Sequence, residues 1–284
     1  MELGTVLLTL VALVAFASNS LITRLALGTH AIDAASFTLL RLASGAAVLS
    51  LLVRAQGQKL VAPRGAGALG PLALFGYAAP FSFAYLRIGA AVGALVLFGV
   101  VQLTMVGYGI VRGERPNAVS WLGLGLALLG LLVLTVPAAS RPDPFGVVLM
   151  AVAGVAWAVY SIAGRTSKNP VASNAWSFVL ASVPAFVLAA LVHTTAEPSW
   201  RGALYAVASG GVASGLGYAV WYRALPRLTV TQAAVAQLSV PIIAAFGAAF
   251  LLGEALPARL LVAGLLVLGG VSLVLAARRP AAAR

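Results

Sequence analysis

The sequence predicts an all-α integral membrane protein of ten transmembrane helices, built as two inverted five-helix repeats. Three observations lead there: a composition too apolar for a water-covered surface, apolar segments of one helix length separated by short joints, and an internal duplication with an odd number of segments in each copy. Of the 284 residues, 62% are hydrophobic and 8% are charged, and the mean hydropathy is +1.04. A soluble domain covers itself with about a quarter charged residues, so this chain belongs in lipid.

A membrane-crossing helix takes about 20 apolar residues, and joints holding charges, Pro or Gly mark where one ends and the next begins. The opening segment "MELGTVLLTLVALVAFA" has no basic leader and runs on too long for a cleaved signal, so it reads as the first span, 3–23. The second, 34–53, follows Asp33 and stops at Arg54; the third, 67–86, follows a Gly- and Pro-containing joint and stops at Arg87. The fourth, 90–110, runs to Arg112-Gly113-Glu114, and the fifth, 118–136, to Pro137. The sixth, 145–164, starts after Asp143-Pro144, and the seventh, 173–192, after Pro170. The eighth, ninth and tenth are 203–222, 229–251 and 258–277, parted by Pro226 and by Gly253-Glu254 with Pro257. Each must be a helix, because the bilayer core offers no water to an unpaired amide. Close helix packing in lipid uses small residues. The stretches "GLGLALLG" (Gly123, Gly125, Gly130) and "GLLVLGG" (Gly264, Gly269, Gly270) are the expected contact faces.

The formal charge of +12 is a matter of topology. With the N-terminus in the cytoplasm, twelve basic residues fall inside (Arg54, Lys59, Arg64, Arg112, Arg115, Arg165, Lys168, Arg223, Arg227, Arg278, Arg279, Arg284). Five fall outside (Arg24, Arg87, Arg141, Arg201, Arg259), and Arg41 lies within the second span. This is a positive-inside distribution with both termini cytoplasmic. The partner of the basic charge is the anionic inner leaflet, not nucleic acid.

The halves 1–138 and 143–278 repeat one another. "VAFASNSLITR" (14–24) lies over "VAWAVYSIAGR" (155–165) with five of eleven positions identical, and Phe16 stands opposite Trp157. "YLR" ending at Arg87 matches "WYR" ending at Arg223, and Gly113-Glu114 matches Gly253-Glu254, with a glycine sixteen residues after each Glu (Gly130, Gly270). Five spans per copy thread the second copy from the opposite face, and such repeats place a substrate site near the midplane between them. Glu114 and Glu254 then mark opposite faces. A carboxylate just ahead of a helix suits its free amides and positive end, so the two are structural caps, or else gates or proton carriers.

The doubled five-helix unit, the "FASN" of the first span and the fourth-to-fifth hairpin ending in Gly-Glu resemble the drug/metabolite transporter superfamily, EamA-type, and within it the aromatic amino acid exporters of bacterial inner membranes. The resemblance implies a secondary exporter of small metabolites, amino acids among them, in the bacterial inner membrane, working by alternating access. It departs at Pro241, thirteen residues before Glu254, where the first copy has Val101. A drug or nucleotide-sugar carrier, or a non-transporting membrane scaffold or lipid-binding protein, is the rival reading.

Polar and aromatic groups at membrane depth are the candidate substrate contacts. Asn19 and Tyr160 occupy matching positions beside the stripes Phe16–Ser20–Arg24 and Trp157–Ser161–Arg165. Arg41 sits about 10 Å inside its span, where a guanidinium costs about 3 kcal/mol on insertion scales. It either grips a substrate carboxylate in two parallel hydrogen bonds or snorkels to the interface. Tyr77 and Ser82 in the third span, Phe98 and Gln102 in the fourth, Asn174 in the seventh, Tyr218 in the eighth and Gln237 in the ninth complete the set. Pro80 and Pro241 are expected kinks.

Other chemistries are excluded. No Gly-rich loop leads into Lys-Ser or Lys-Thr, so there is no ATP site, and no cysteine or histidine cluster has metal spacing. No Ser, His and Asp share one depth, which argues against an enzyme; no cofactor is expected. The carboxylates all fall near span ends, so coupling to protons is not favoured over downhill export or exchange.

Overall fold

The computed structural model describes residues 2–59, 67–136, 143–192, 199–252 and 258–277. Among them are ten helices long and apolar enough to cross a membrane. The elements are α1 (Leu3–Leu27), α2 (Ala34–Ala55), α3 (Leu69–Val111), α4 (Ala118–Thr135), α5 (Pro144–Gly164) and α6 (Pro170–Leu191). The eighth span is composite: α7 (Trp200–Ala208), a π-helical segment (Ser209–Leu216), α8 (Gly217–Ala224) and a 3-10 turn (Leu225–Arg227). The ninth is α9 (Val230–Ala236) followed by α10 (Ser239–Leu252), and the tenth is α11 (Ala258–Ala276).

Helix starts follow the capping chemistry of the sequence. Asp33, Asn117, Asp143, Asn169, Ser199 and Thr229 each accept a backbone N–H from the first turn of the helix behind them. Thr229 and Gln232 close a reciprocal capping box on α9.

The third and fourth spans are Leu69–Ile88 and Ala90–Val111, as expected. Both belong to one helical run, α3, whose 43 residues would reach about 65 Å if straight, twice the hydrocarbon core. It must double back. Gly76 lies against Ala156, while Gly154, two residues away on α5, lies against Leu97 and Val100. Points some twenty residues apart on α3 thus meet α5 at one level, which places the turn near Arg87–Ala90. Arg87 donates to Asp143 at 3.0 Å at that turn, and this contact holds the Asp143 carboxyl below its ordinary range. Pro80 lies within continuous helix. Near Pro241 the helix is interrupted, at Gln237–Leu238, one turn earlier; Pro241 has no N–H for the Gln237 carbonyl, which accepts instead from the Val240 N–H at 3.0 Å.

Two seams bring backbones close. α4 and α11 pack through glycine: a methyl on Gly123 would stand 2.5 Å from the carbonyl oxygen of Gly270, and one on Gly130 would stand 2.9 Å from that of Ala263. Gly125 and Gly269 face open space, and Gly264 makes ordinary contact with Phe246. α2 packs on α6 and on the π-helical segment. There a methyl on Gly210 would overlap the carbonyl oxygen of Arg41, and one on Gly45 would overlap the Phe178 ring.

Candidate functional site

Arg41, on the inner face of α2, is 1% exposed and is the one buried charged side chain among the described residues. It does not snorkel. Its Nε donates to Ser214 Oγ at 3.0 Å, and its Nη2 donates to Tyr218 Oη at 2.7 Å and Tyr77 Oη at 3.4 Å. Its Nη1 is buried with no acceptor. The guanidinium carbon lies 5.2 Å from the Tyr77 ring centroid and 5.9 Å from that of Phe81, within cation–π range.

Tyr77 and Tyr218 connect this arginine to a nest of rings. Trp157 sits 4.8 Å from Tyr218, 5.0 Å from Tyr77 and 5.3 Å from Phe16, centroid to centroid, and such offset or edge-on pairs are the favoured geometries. The Trp157 indole N–H donates to Gln237 Oε1. The Gln237 Nε2 donates to the Ala233 carbonyl at 3.0 Å, at the break between α9 and α10. Asn19 Oδ1 accepts from Ser209 Oγ at 2.6 Å, tying α1 to the start of the π-helical segment.

Phe16, Asn19, Tyr77, Trp157, Tyr218 and Gln237 line one small cavity of about 30 Å³, which Ser20, Phe81, Leu97 and Phe98 also border. Those last four border a larger cavity of about 310 Å³, reaching Arg24, Pro241 and Arg259 at one end of the bundle. At the opposite end a cavity of about 620 Å³ is bordered by Lys59, Lys168, Asn169, Trp176, Ser177 and Tyr222. The outer two have the size of ligand pockets; the space between has room for about one water.

Of the residues singled out in the sequence, Asn19, Tyr77, Phe98, Trp157, Tyr218 and Gln237 therefore meet at one cavity, with Arg41 bonded to two of them. The others lie apart from it. Ser82 accepts from Thr38 at 2.9 Å and donates to the Ala78 carbonyl. Gln102 donates to the Ala234 carbonyl at 2.7 Å, and its Oε1 has no partner. Tyr160 donates to Asn174 at 2.6 Å, joining α5 to α6, although its ring reaches Tyr218 at 6.0 Å. Sequence reasoning passed over Phe81. Phe81 was findable, one helical turn from Tyr77 on the same face; Ser214, a polar residue of the eighth span one turn before Tyr218, meets Arg41 from the π-helical segment.

Glu114 differs from expectation in its target. It caps a helix, but not the one it precedes. Its Oε1 accepts the Val230 N–H at 2.6 Å, and its Oε2 accepts the Thr231 N–H at 3.0 Å and hydroxyl at 2.9 Å. Arg115 and Pro116 separate it from α4, whose own cap is Asn117. Gly109 leaves the room: a methyl there would stand 2.9 Å from the carboxylate. Glu254 lies outside the described residues.

Ten apolar helices around an aromatic nest, with a cavity at either end, fit a multi-pass membrane transporter. The comparisons with known proteins make that specific. Residues 144–276 match the EamA-like transporter family. An uncharacterized protein of Pseudomonas aeruginosa is 49% identical over 280 residues, covering 99% of this chain and 97% of its own length. The chain belongs to the EamA-like transporter family, in the drug/metabolite transporter superfamily. An Escherichia coli protein named "probable amino-acid metabolite efflux pump" is 26% identical over 212 residues, 68% of this chain and 71% of its own length. A solved crystal structure with 23% identity superposes with a TM-score of 0.78 over 94% of this chain and 98% of its own, which supports the same fold.

Proposed function

We propose that the protein exports small metabolites with aromatic or apolar bodies, amino acids among them, by alternating access at the aromatic nest. The observation that carries this reading is the ring-lined cavity of about 30 Å³ standing between cavities of about 310 and 620 Å³ at the two ends. A narrow, aromatic centre between two vestibules is what a carrier needs when its pocket opens to one side at a time. Residues 1–138 and 143–278 act as the inverted copies, and Asn19, Arg41, Tyr77, Phe98, Trp157, Tyr218 and Gln237 are the substrate contacts. Gln237 and Pro241, at the interruption of the ninth span, are the bending point. The name of the Escherichia coli relative supports amino-acid metabolites as cargo. The basic-residue distribution supports a bacterial inner-membrane location with cytoplasmic termini, which puts the vestibule bordered by Arg24 and Arg259 outside and Glu114 inside.

Efflux from proteoliposomes loaded with labelled phenylalanine, tryptophan, methionine and threonine tests the proposal. Saturable efflux of the aromatic pair, independent of a pH gradient, is expected; no flux of any of the four removes the amino-acid reading. Trp157→Ala, which opens the nest, is expected to lower aromatic efflux at least tenfold with the protein still folded.

A further inference from the structure

The carrier reading leaves one charge without a counterpart. Arg41 is held in the interior by three hydroxyls, and one face of its guanidinium, Nη1, meets no acceptor. Hydroxyl oxygens are dipoles and do not neutralise a cation. The described carboxylates are all engaged elsewhere or stand at helix ends: Glu2 precedes α1, Asp33 caps α2, Glu114 caps α9 and Asp143 caps α5. A second observation marks the same spot. The partner of Arg41 Nε, Ser214, lies in the π-helical segment, and Gly210 within that segment is pressed against the Arg41 backbone. π-Helical turns inside a longer α-helix are frequent at functional sites, since they cost regular hydrogen bonding and redirect side chains.

We propose that Arg41, framed by Tyr77, Tyr218 and Ser214, is the recognition point for a carboxylate, and that the preferred occupant is an aromatic monocarboxylate of net charge −1 rather than a zwitterion or a cation. The inference rests on the aromatic nest being the substrate site, and it narrows the class of substrate. A guanidinium with an unused N–H pairs best with a carboxylate, which accepts in two places at once. The rings of Tyr77, Phe81 and Trp157 take the aromatic body. Nothing in the nest meets an ammonium with charge: the unpartnered Gln102 Oε1 belongs to a neutral amide, and Gln237 Oε1 already accepts from Trp157. Bringing an ammonium beside Arg41 adds a second cation to an uncompensated one. The approach agrees in sign, since the cavity of about 620 Å³ on the cytoplasmic side, from which an exporter loads, is bordered by Lys59 and Lys168 and by no carboxylate among its described lining, which raises the local concentration of anions.

The test is binding in lipid nanodiscs, which avoids leakage of weak acids across vesicles. Calorimetric titration compares 3-phenylpropionate, phenylalanine and phenethylamine, with empty nanodiscs as the blank. The expected result is that 3-phenylpropionate binds at least tenfold tighter than phenylalanine, and phenethylamine shows no saturable binding. Arg41→Gln is expected to weaken 3-phenylpropionate at least tenfold, with Arg41→Lys intermediate. Ser214→Ala, a smaller change that removes one support of the guanidinium, gives a several-fold loss even where Arg41→Gln fails to assemble. Phenylalanine binding as tightly as 3-phenylpropionate, wild-type affinity in Arg41→Gln, or no binding of any of the three compounds overturns the proposal. Failure of the carrier reading looks different. A protein that exports phenylalanine and prefers the zwitterion loses this inference alone. One that binds 3-phenylpropionate through Arg41 yet moves no solute loses only the carrier.

Discussion

The α4–α11 seam and the seam between α2 and the π-helical segment solve one problem in two ways. Both press backbones together through glycine. At the first, Gly123 faces Gly270 beside Val274, Gly130 faces Ala263 beside Val267, and no polar side chain stands among these contacts. At the second, Gly45 and Gly210 meet beside Arg41, Ser44 and Ser214. In lipid the first kind of contact gains from dispersion and close approach alone. The second has to satisfy a guanidinium as well, and regular helix geometry is given up there to do it. The comparison teaches that glycine in this bundle marks rigidity in one place and a built polar site in the other.

Substitutions can break that contrast in a graded way. The largest effect is expected at Gly210→Ala, whose methyl would overlap the Arg41 carbonyl oxygen; backbone cannot yield cheaply, so the loss is at or above the top of the about 1–3 kcal/mol range for overpacking. Loss of the monodisperse peak in detergent chromatography is the readout, and an unaffected peak would show the seam to be looser than described. Gly123→Ala comes next, at about 1–3 kcal/mol, while Gly125→Ala and Gly269→Ala, which face open space, leave the melting temperature unchanged. Glu114→Gln keeps an acceptor for Val230 or Thr231 but removes the charge at the amino end of α9. About 1 kcal/mol is expected, read as a lower melting temperature with the circular dichroism spectrum intact. The smallest effect concerns Arg87 and Asp143, a half-exposed pair. Arg87 depresses the Asp143 carboxyl, so the contact persists through the ordinary carboxylate range and is lost only as pH falls through the depressed value. A carboxyl NMR titration of Asp143 with an ordinary midpoint would contradict this.

Much of the architecture was legible because a bilayer leaves a chain few options. The ends of spans at Asp33, Asn117, Asp143 and Arg54 follow from capping and from charge, which are local. The glycine face of α4 was legible for the same reason, although Gly125 and Gly269 show that spacing alone does not say which glycines touch. What escaped was nonlocal. Glu114 looks like the cap of the helix that follows it, and only the folded bundle brings Val230 and Thr231 to its oxygens. The turn between the two arms of α3 was legible at Arg87, but that Asp143 of another helix pairs with this arginine was not. In the nest, Tyr77, Trp157 and Tyr218 stood out as aromatics at depth. Tyr160 and Asn174 stood out equally and instead bond to each other, one layer behind. Nothing in the letters "SGGVASGL" announces a widened turn.

That widened turn has a consequence for length variation in the chain. A π-helical turn accommodates roughly one residue more than an α-helical turn of the same rise. Removing one residue there, lipid-exposed Val212 for example, would relax the stretch toward ordinary pitch and leave Tyr218 and Trp221 in phase with their neighbours. The same deletion in α5 would swing everything beyond it by about 100°. The bundle thus carries a spare residue at the one place where dropping it would dismantle the arginine's support and spare the scaffold.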